Sequence, residues 1–324
     1  MKKILITGAT GFIGSHLTEL ALDKGYEVIA FDRYNPNYSL GHLENSKYKK
    51  DIQFIFGDIR DYDSVNKAMK KCNVVFHLAA LIGIPYSYIS PLAYLKTNLE
   101  GTYNILESAK NLETNQVIIT STSETYGTAK YVPIDEKHQL NGQSPYAASK
   151  IAADQLSISY WNSFKLPVKI IRPFNTFGPR QSGRAVIPSI ILQALHNKKE
   201  INLGNINTTR DLTYVLDTCH AYFEMLKNKN LFGIPVNVGS KNEYKIKDIA
   251  KKIILKINPK LKIKLDKQRI RPINSEVQRL VCGNKLILNK TNWKPKTSFN
   301  KGLDNTIEWF KKFRYLFKNN IYHI

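Results

Sequence analysis

Apolar residues recur along the first half of the chain in short runs separated by longer amphipathic stretches, which is the alternation of a β/α protein. A strand is expected over residues 2–7, carrying Ile4, Leu5 and Ile6, and a second over 26–31. Between them Leu17, Leu20 and Ala21 share one helical face, and the helix stops at Lys24-Gly25. The alternation continues with strands over 52–56, 74–78, 116–120 and 168–172. Helices are expected over 62–71, about 92–111, and from Ser144-Pro145 past Trp161. Residues 81–90, with Gly83 and Pro85, read as a loop. After Pro173 the pattern loosens. Residues 174–180 read as a loop, 187–194 as a helix, 209–215 as a short strand, 216–226 as a helix and 235–238 as a last strand. Residues 245–324 add further helices, one strand over 261–265, and a final amphipathic helix holding Ile307, Phe310, Phe313 and Phe317. The pattern predicts an α/β fold: a doubly wound parallel sheet with a smaller, mainly C-terminal lobe.

The first strand–helix junction carries chemistry. Gly8-Ala9-Thr10-Gly11-Phe12-Ile13-Gly14 lies between strand and helix, and Asp32 ends the second strand eighteen residues past Gly14. Strand, glycine turn, helix, strand and acid make the βαβ dinucleotide-binding unit. Glycines let the backbone approach a pyrophosphate, and the helix N-terminus offers free N–H groups. The spacing is G-x-x-G-x-x-G, so the strand–helix setting, more than the glycines alone, carries the reading. Asp32 favours NAD, because a carboxylate repels a 2′-phosphate, while Arg33 beside it leaves NADP open. Asp58-Ile59 ends the third strand, where Asp58 suits either an adenine amino group or a helix cap. Leu78, Ala79 and Ala80 end the fourth, and His77 reads as a space-filling residue there. The expected division is a dinucleotide domain over 1–173, with 211–240 returning to it, and a substrate lobe over 174–210 and 241–324.

A second motif follows the fifth strand. Thr122-Ser123-Glu124 comes first, and Tyr146 and Lys150 sit four apart on a helix, sharing one face. A Tyr with an ordinary pKa near about 10 is a poor base at neutral pH. A Lys ammonium and a positive nicotinamide ring favour its phenolate by charge. Tyr146 can then take the proton of a sugar hydroxyl as hydride leaves the same carbon, with Lys150 on the nicotinamide ribose and Thr122 on the same oxygen. Glu124 suggests a second proton transfer: with a ketone at C4 of a hexose, the C5 hydrogen is acidic. Its removal expels water from C6, to which the stored hydride returns. The plainer reading of Glu124 is a surface or capping residue. Asn175, Arg180, Arg184, Arg210 and Arg271 are candidates for an anionic substrate, since arginine forks suit diphosphate oxygens. Surface ion pairs are their alternative.

Composition narrows the classes. The formal net charge is +22, but the lysines are spread along the chain and form no basic block, so nucleic-acid binding is not expected. A basic field also attracts small anionic substrates. Three cysteines, Cys72, Cys219 and Cys282, have no C-x-x-C pairing, which argues against a zinc site or a disulfide framework and fits a reducing cytoplasm. No metal is expected. The apolar run after Met1-Lys2-Lys3 is too short for a signal segment, and no apolar span is long enough for a membrane helix.

With G-A-T-G-F-I-G, Asp58-Ile59, His77–Ala80, Tyr146/Lys150, R-P-F-N-T-F-G-P-R at 172–180 and R-D-L-T-Y-V at 210–215, the chain resembles the extended short-chain dehydrogenase/reductase family over essentially its whole length. Thr122-Ser123-Glu124 is similar to the nucleotide-sugar 4,6-dehydratases. The GDP-mannose type carries Thr-Ser-Glu and the dTDP-glucose type Thr-Asp-Glu, so Ser123 stands where the latter has an acid, and Glu124 serves as both base and acid. Residues 81–88, 128–134, 142–146 and 184–188, including Val186, resemble the NAD-dependent nucleotide-GlcNAc 4,6-dehydratases of the legionaminic acid pathway. That resemblance implies a UDP- or GDP-linked GlcNAc substrate, a 4-keto-6-deoxy product, and a homodimer formed through helices near 92–111 and 144–163. A UDP-glucuronate decarboxylase or a nucleotide-sugar C4 epimerase shares much of the same machinery. A dinucleotide-sensing or RNA-binding protein would have no need of Glu124, Tyr146 and Lys150.

Overall fold

A computed structural model describes residues 2–197, 199–270 and 272–317. In chain order its strands are β1 (Lys3–Thr7), β2 (Glu27–Arg33), β3 (Ile52–Gly57), β4 (Val74–His77), β5 (Gln116–Thr120), β6 (Val168–Pro173), β7 (Asn175–Phe177), β8 (Glu200–Leu203), β9 (Thr209–Tyr214), β10 (Pro235–Val238), β11 (Glu243–Lys245), β12 (Lys262–Leu265) and β13 (Arg279–Leu280). Among the described residues, seven strands form one sheet in the order β10-β6-β5-β4-β1-β2-β3. Every pairing in it is parallel.

A parallel sheet is covered on both faces, so its strands read as continuous apolar runs. Successive side chains serve opposite faces. On one face Ile4, Ile6 and Phe76 meet Leu17 and Ala21 of helix Phe12–Asp23 and Cys219 and Tyr222 of helix Val215–Lys227. On the other, Leu5, Val75 and Val117 meet Val65, Ile105, Leu106 and Tyr160 from helices Tyr62–Met69, Gly101–Asn111 and Pro145–Phe164. The doubly wound sheet expected from the alternation is therefore present. Its order reverses at β1, which has β2 on one side and β4 on the other. Chain connections diverge there and leave a crevice at the carboxyl ends of the strands.

Beside this sheet, β9 pairs with β7 and β13 in parallel and with β11 antiparallel, and β8 pairs with β12. Helix Val215–Lys227 follows β9 back onto the large sheet, where β10 forms an edge beside β6.

Local expectations needed three corrections. Residues 84–89, expected within a loop, form a short helix, Ile84–Ile89, with Pro85 in its first turn, where the missing N–H is harmless. Asn175–Phe177, also expected as loop, is β7, stabilised by its pairing with β9 rather than by local propensity. The helix expected over about 92–111 is interrupted: Pro91–Tyr94 and Gly101–Asn111 are α-helical, and Leu95–Glu100 between them is π-helical. This wide turn accompanies a buried Asn98, whose side chain bonds both the N–H and the C=O of Leu81 and also Ser149 Oγ.

The final amphipathic helix is Phe299–Lys312, burying Leu303, Ile307 and Phe310, and the Phe317 ring packs against Phe310 beyond its end. Among the described residues no helix is long and apolar enough to cross a membrane.

Candidate active site

The crevice is a cleft of about 1030 Å³ lined from both sides. That is the upper end of the size of single-ligand pockets. After β1 the lining takes Gly8, Gly11, Phe12, Ile13 and Gly14, from β2 Asp32 and Arg33, after β3 Asp58 and Ile59, and after β4 Leu78, Ala79 and Ala80. All the residues expected at a dinucleotide thus face one cleft, except Lys150.

Two glycines are required by space. A Cβ on Gly14 would stand 2.1 Å from Gly8 O, and Gly8 holds a φ of +68° with Ala79 N only 3.0 Å from where a Cβ would be. The turn is thereby pressed close to β4, and the first turn of helix Phe12–Asp23 opens into the cleft. Asp32 is held to that turn: Thr10 donates to Oδ2 from N at 2.9 Å and from Oγ1 at 2.6 Å, and Arg33 N donates to Oδ1 at 2.9 Å. A carboxylate accepts about four hydrogen bonds, so acceptor capacity remains. Thr10 was not singled out in the sequence; its place between the glycines was the available signal. Asp58 is paired with Arg60, whose hydrogen bonds hold the carboxyl below its ordinary range. The cap of helix Tyr62–Met69 is Asp61, so the capping alternative for Asp58 does not hold. His77 is buried against Thr7 Oγ1 and Thr102 Oγ1, and burial lowers its pKa to about 3. It fills space at the strand end, as expected.

The carboxyl end of β5 brings in the second motif. Thr122 caps the 3₁₀ turn Ser123–Tyr126, its Oγ1 accepting from Glu124 N at 3.2 Å. Thr122, Ser123, Glu124 and Tyr146 all line the cleft. Burial pushes the phenol well above its ordinary range; the Thr122 hydroxyl opposes this, and the nearby Glu124 adds to it. Tyr146 is therefore a neutral phenol until positive charge arrives beside it.

Lys150 is not in the lining. It is buried, its ammonium donating to Thr120 O at 2.5 Å. Burial lowers its pKa to about 8, with the Asp154 carboxylate opposing. Tyr94, also missed in the sequence, sets its ring edge-on to Tyr146 at 6.2 Å and donates to Gly83 O. Spacing alone gave no sign of it.

The opposite wall holds Asn175, Arg184, Val186 and Arg210. Asn175 Oδ1 is buried, and among the described residues nothing donates to it. Arg184 rests against Gly83, with Nη1 3.0 Å from where a Cβ would be. Arg210 donates to Thr209 O at 2.8 Å and pairs with Glu276 at 3.5 Å. Glu276 and Arg269 line the same wall and were not predicted as site residues. Arg180 departs from expectation: it is outside the lining and is paired with Glu19 at 2.9 Å, beside His16 and His42. Its backbone is left-handed, with a φ of 69°. Arg271 lies outside the described residues. No group of His, Cys, Asp and Glu among the described residues is arranged to hold a metal.

The cleft can therefore hold a dinucleotide along the strand ends and an anionic ligand along the arginine wall, with a phenol and a carboxylate where they meet. A family profile described as GDP-mannose 4,6 dehydratase matches residues 5–306. A dTDP-D-glucose 4,6-dehydratase of Homo sapiens is 31% identical over 327 residues, covering 98% of this chain and 92% of that protein. A dTDP-glucose 4,6-dehydratase from Streptomyces venezuelae, solved with NAD bound, superposes with a TM-score of 0.88 at 25% identity, over 98% of this chain and 99% of that one. A UDP-glucuronic acid 4-epimerase from Bacillus cereus, in complex with UDP-glucuronic acid and NAD, gives 0.87 at 28% identity, over 96% and 99%.

Proposed function

Since this chain belongs to the GDP-mannose 4,6-dehydratase family, we propose that it is an NAD-dependent 4,6-dehydratase acting on a UDP- or GDP-linked N-acetylglucosamine. The observation that carries the reading is the meeting of Glu124, Thr122 and Tyr146 in one cleft, with Glu124 N bonded to the Thr122 hydroxyl. A simple hydride exchange at one carbon needs the phenol alone; a carboxylate beside it serves a second proton transfer.

The residues fit the cofactor. The Gly8–Gly14 turn leaves no room for a side chain where the pyrophosphate is taken, and the helix N-terminus after it favours negative charge. Asp32 takes the adenosine ribose, and Asp58 and Ile59 flank the adenine. When bound, NAD supplies the acceptor for the C4 hydride and its donor to C6. Tyr146 accepts the proton of the C4 hydroxyl, and Thr122 shares that hydrogen bond. Lys150, one helical turn after Tyr146 and anchored on the Thr120 carbonyl, contributes positive charge and holds the nicotinamide ribose. Glu124 removes the C5 proton and hands a proton to the departing C6 hydroxyl, because Ser123 has no acidic group to do so. Asn175, Arg184, Val186 and Arg210 hold the nucleotide sugar, the arginines on its diphosphate.

The GlcNAc assignment has its own support. Residues 81–86 and 184–187, which carry the resemblance to the nucleotide-GlcNAc enzymes, line the cleft itself. We assign residues 1–173 and 211–240 to the cofactor domain, and 174–210 with 241–324 to the substrate lobe. A homodimer is supported by exposed Leu92, Leu95, Tyr103 and Phe164 on the helices near 92–111 and 145–164.

The test is to incubate the protein with NAD and UDP- or GDP-GlcNAc and weigh the product. Loss of one water is expected. Loss of carbon dioxide from a nucleotide uronic acid would replace the reading with a decarboxylase, and a mass-neutral isomer with an epimerase. No water loss from any nucleotide hexose overturns it.

A further inference from the structure

A buried hub centred on Arg172, in β6, ties the active turn to the helix that carries Tyr146. Arg172 donates to Asp154 Oδ2 from Nε and Nη2, each at 2.9 Å, and from Nη1 to the Tyr126 hydroxyl at 2.9 Å. Asp154 Oδ2 also accepts Ser121 Oγ at 2.7 Å, and the Tyr126 hydroxyl donates onward to Asn237 Oδ1 at 2.8 Å. Arg172 and Asp154 are 2% and 0% exposed.

Stability alone does not account for this hub. Removing two charges from water offsets most of what their attraction returns, and apolar packing often does as well. Asp154 Oδ1, moreover, is buried without a hydrogen-bond partner, which is costly in a low-dielectric interior. What the hub does is connect. Ser121 precedes Thr122, Tyr126 lies two residues after Glu124, and Asp154 lies one helical turn beyond Lys150. The turn Ser123–Tyr126 has few bonds of its own, chiefly Glu124 N to Thr122 Oγ1 and Thr125 Oγ1 to Thr122 O. Gly127 N also donates to Glu124 O at 3.2 Å, and Asn141 N ties the middle of the turn at Thr125 O, 2.8 Å away; the hub adds the side-chain ties at its two ends.

We propose that Arg172 and Asp154, through Ser121 and Tyr126, are positioning residues that hold the Glu124 turn in register with the Tyr146–Lys150 helix. Ser121 sets Thr122 for the oxidation half of the reaction, and Tyr126 sets Glu124 for the elimination half. The assignment of the two halves rests on the dehydratase reading above. Proton transfer demands hydrogen-bond reach, so a small displacement of one end of the turn slows one half and spares the other.

The experiment compares Ser121→Ala and Tyr126→Phe in the full chain. Phenylalanine keeps the ring against Phe174 and His138, so packing is retained. Backbone amide exchange at residues 122–127 is expected to accelerate in both variants, about tenfold, with the rest of the chain unchanged. In single turnovers with NAD and substrate, Ser121→Ala is expected to slow cofactor reduction about tenfold. Tyr126→Phe is expected to leave reduction within about twofold and slow water loss about tenfold, so that reduced cofactor builds up. Equal slowing of both steps by both variants, or unchanged exchange at the turn, overturns the proposal. A wild type that reduces its cofactor but loses no water overturns the dehydratase reading instead. The exchange data and the Ser121→Ala reduction rate then still judge the hub.

Discussion

Gly8, Asp32, Asp58 and Leu78–Ala80 reach the cleft from the ends of four adjacent parallel strands, β1 to β4. Asn175, Arg184, Arg210 and Arg269 reach it from short strands, turns and the approach to a helix. On the first wall, position follows from the ladder: register across β1, β2, β3 and β4 places each residue, whatever its side chain does. On the second wall, short ladders place Asn175 in β7 and Arg210 in β9, and side-chain ties reinforce them. Asp211 next to Arg210 accepts from Ser240 N and Oγ, Lys241 N and Cys282 N, pinning β9 to two neighbouring segments. Gln193 clamps the Asn202 backbone at both N–H and C=O. A wall built on one continuous ladder tolerates loss of one contact, whereas a wall of short ladders reinforced by ties transmits it. The chemistry sits where the two meet, at the end of β5.

The largest expected effect falls at that junction. Tyr146→Phe is expected to lower cofactor reduction by about 10²–10⁴-fold while leaving NAD binding intact, measured by nicotinamide absorbance and by titration calorimetry. Glu124→Gln is expected next: water loss falls about 10²–10⁴-fold, yet reduction of the cofactor persists, so reduced nicotinamide accumulates with substrate present. If that variant turns over normally, Glu124 has no part in elimination. Smaller is Arg210→Lys, which keeps the charge and loses the planar fork. KM for the nucleotide sugar is expected to rise about tenfold with NAD affinity unchanged, a contrast that separates the two walls.

The smallest effect concerns stability. Burial, then the charge of Arg180, lowers His16 to about 4 from its ordinary 6.5; the Pro179 carbonyl and Glu19 act against this, and His42 adds to it. Because the folded pKa is the lower one, the unfolded chain binds more protons between those values, and stability falls as pH drops from about 6.5 toward 4. His16→Gln is expected to shallow that fall between about pH 7 and about pH 5 in denaturant titrations. His42 and His77, lowered in the same direction, leave a residual slope.

The substrate wall also marks the limit of what the chain's pattern revealed. β7 and the helix Ile84–Ile89 were expected as loop, because three or six residues with Pro and Gly nearby carry little periodicity. Arg180 shares its motif with Asn175, but only folding shows that it turns to Glu19. Lys150 was expected beside the ligand, and only the fold shows its ammonium anchored on the Thr120 carbonyl. The Arg172–Asp154 hub was invisible because its members lie just after β5, on β6, on β10, in the turn Ser123–Tyr126 and on a helix, with Tyr126 and Asn237 111 residues apart.

Sequence alone determined the parallel sheet, the glycine turn, Asp32, and the Tyr146–Lys150 pair. Each is written in local spacing: runs of apolar residues, glycines where no Cβ fits, and two side chains one helical turn apart. Tertiary structure alone decided that Thr122, Glu124 and Tyr146 line one cleft, which arginines face it, and that Tyr94 and Asn98 support it. Those facts depend on contacts between segments distant in the chain, and a side chain's partner across such a distance is set by packing, for which local pattern carries no signal.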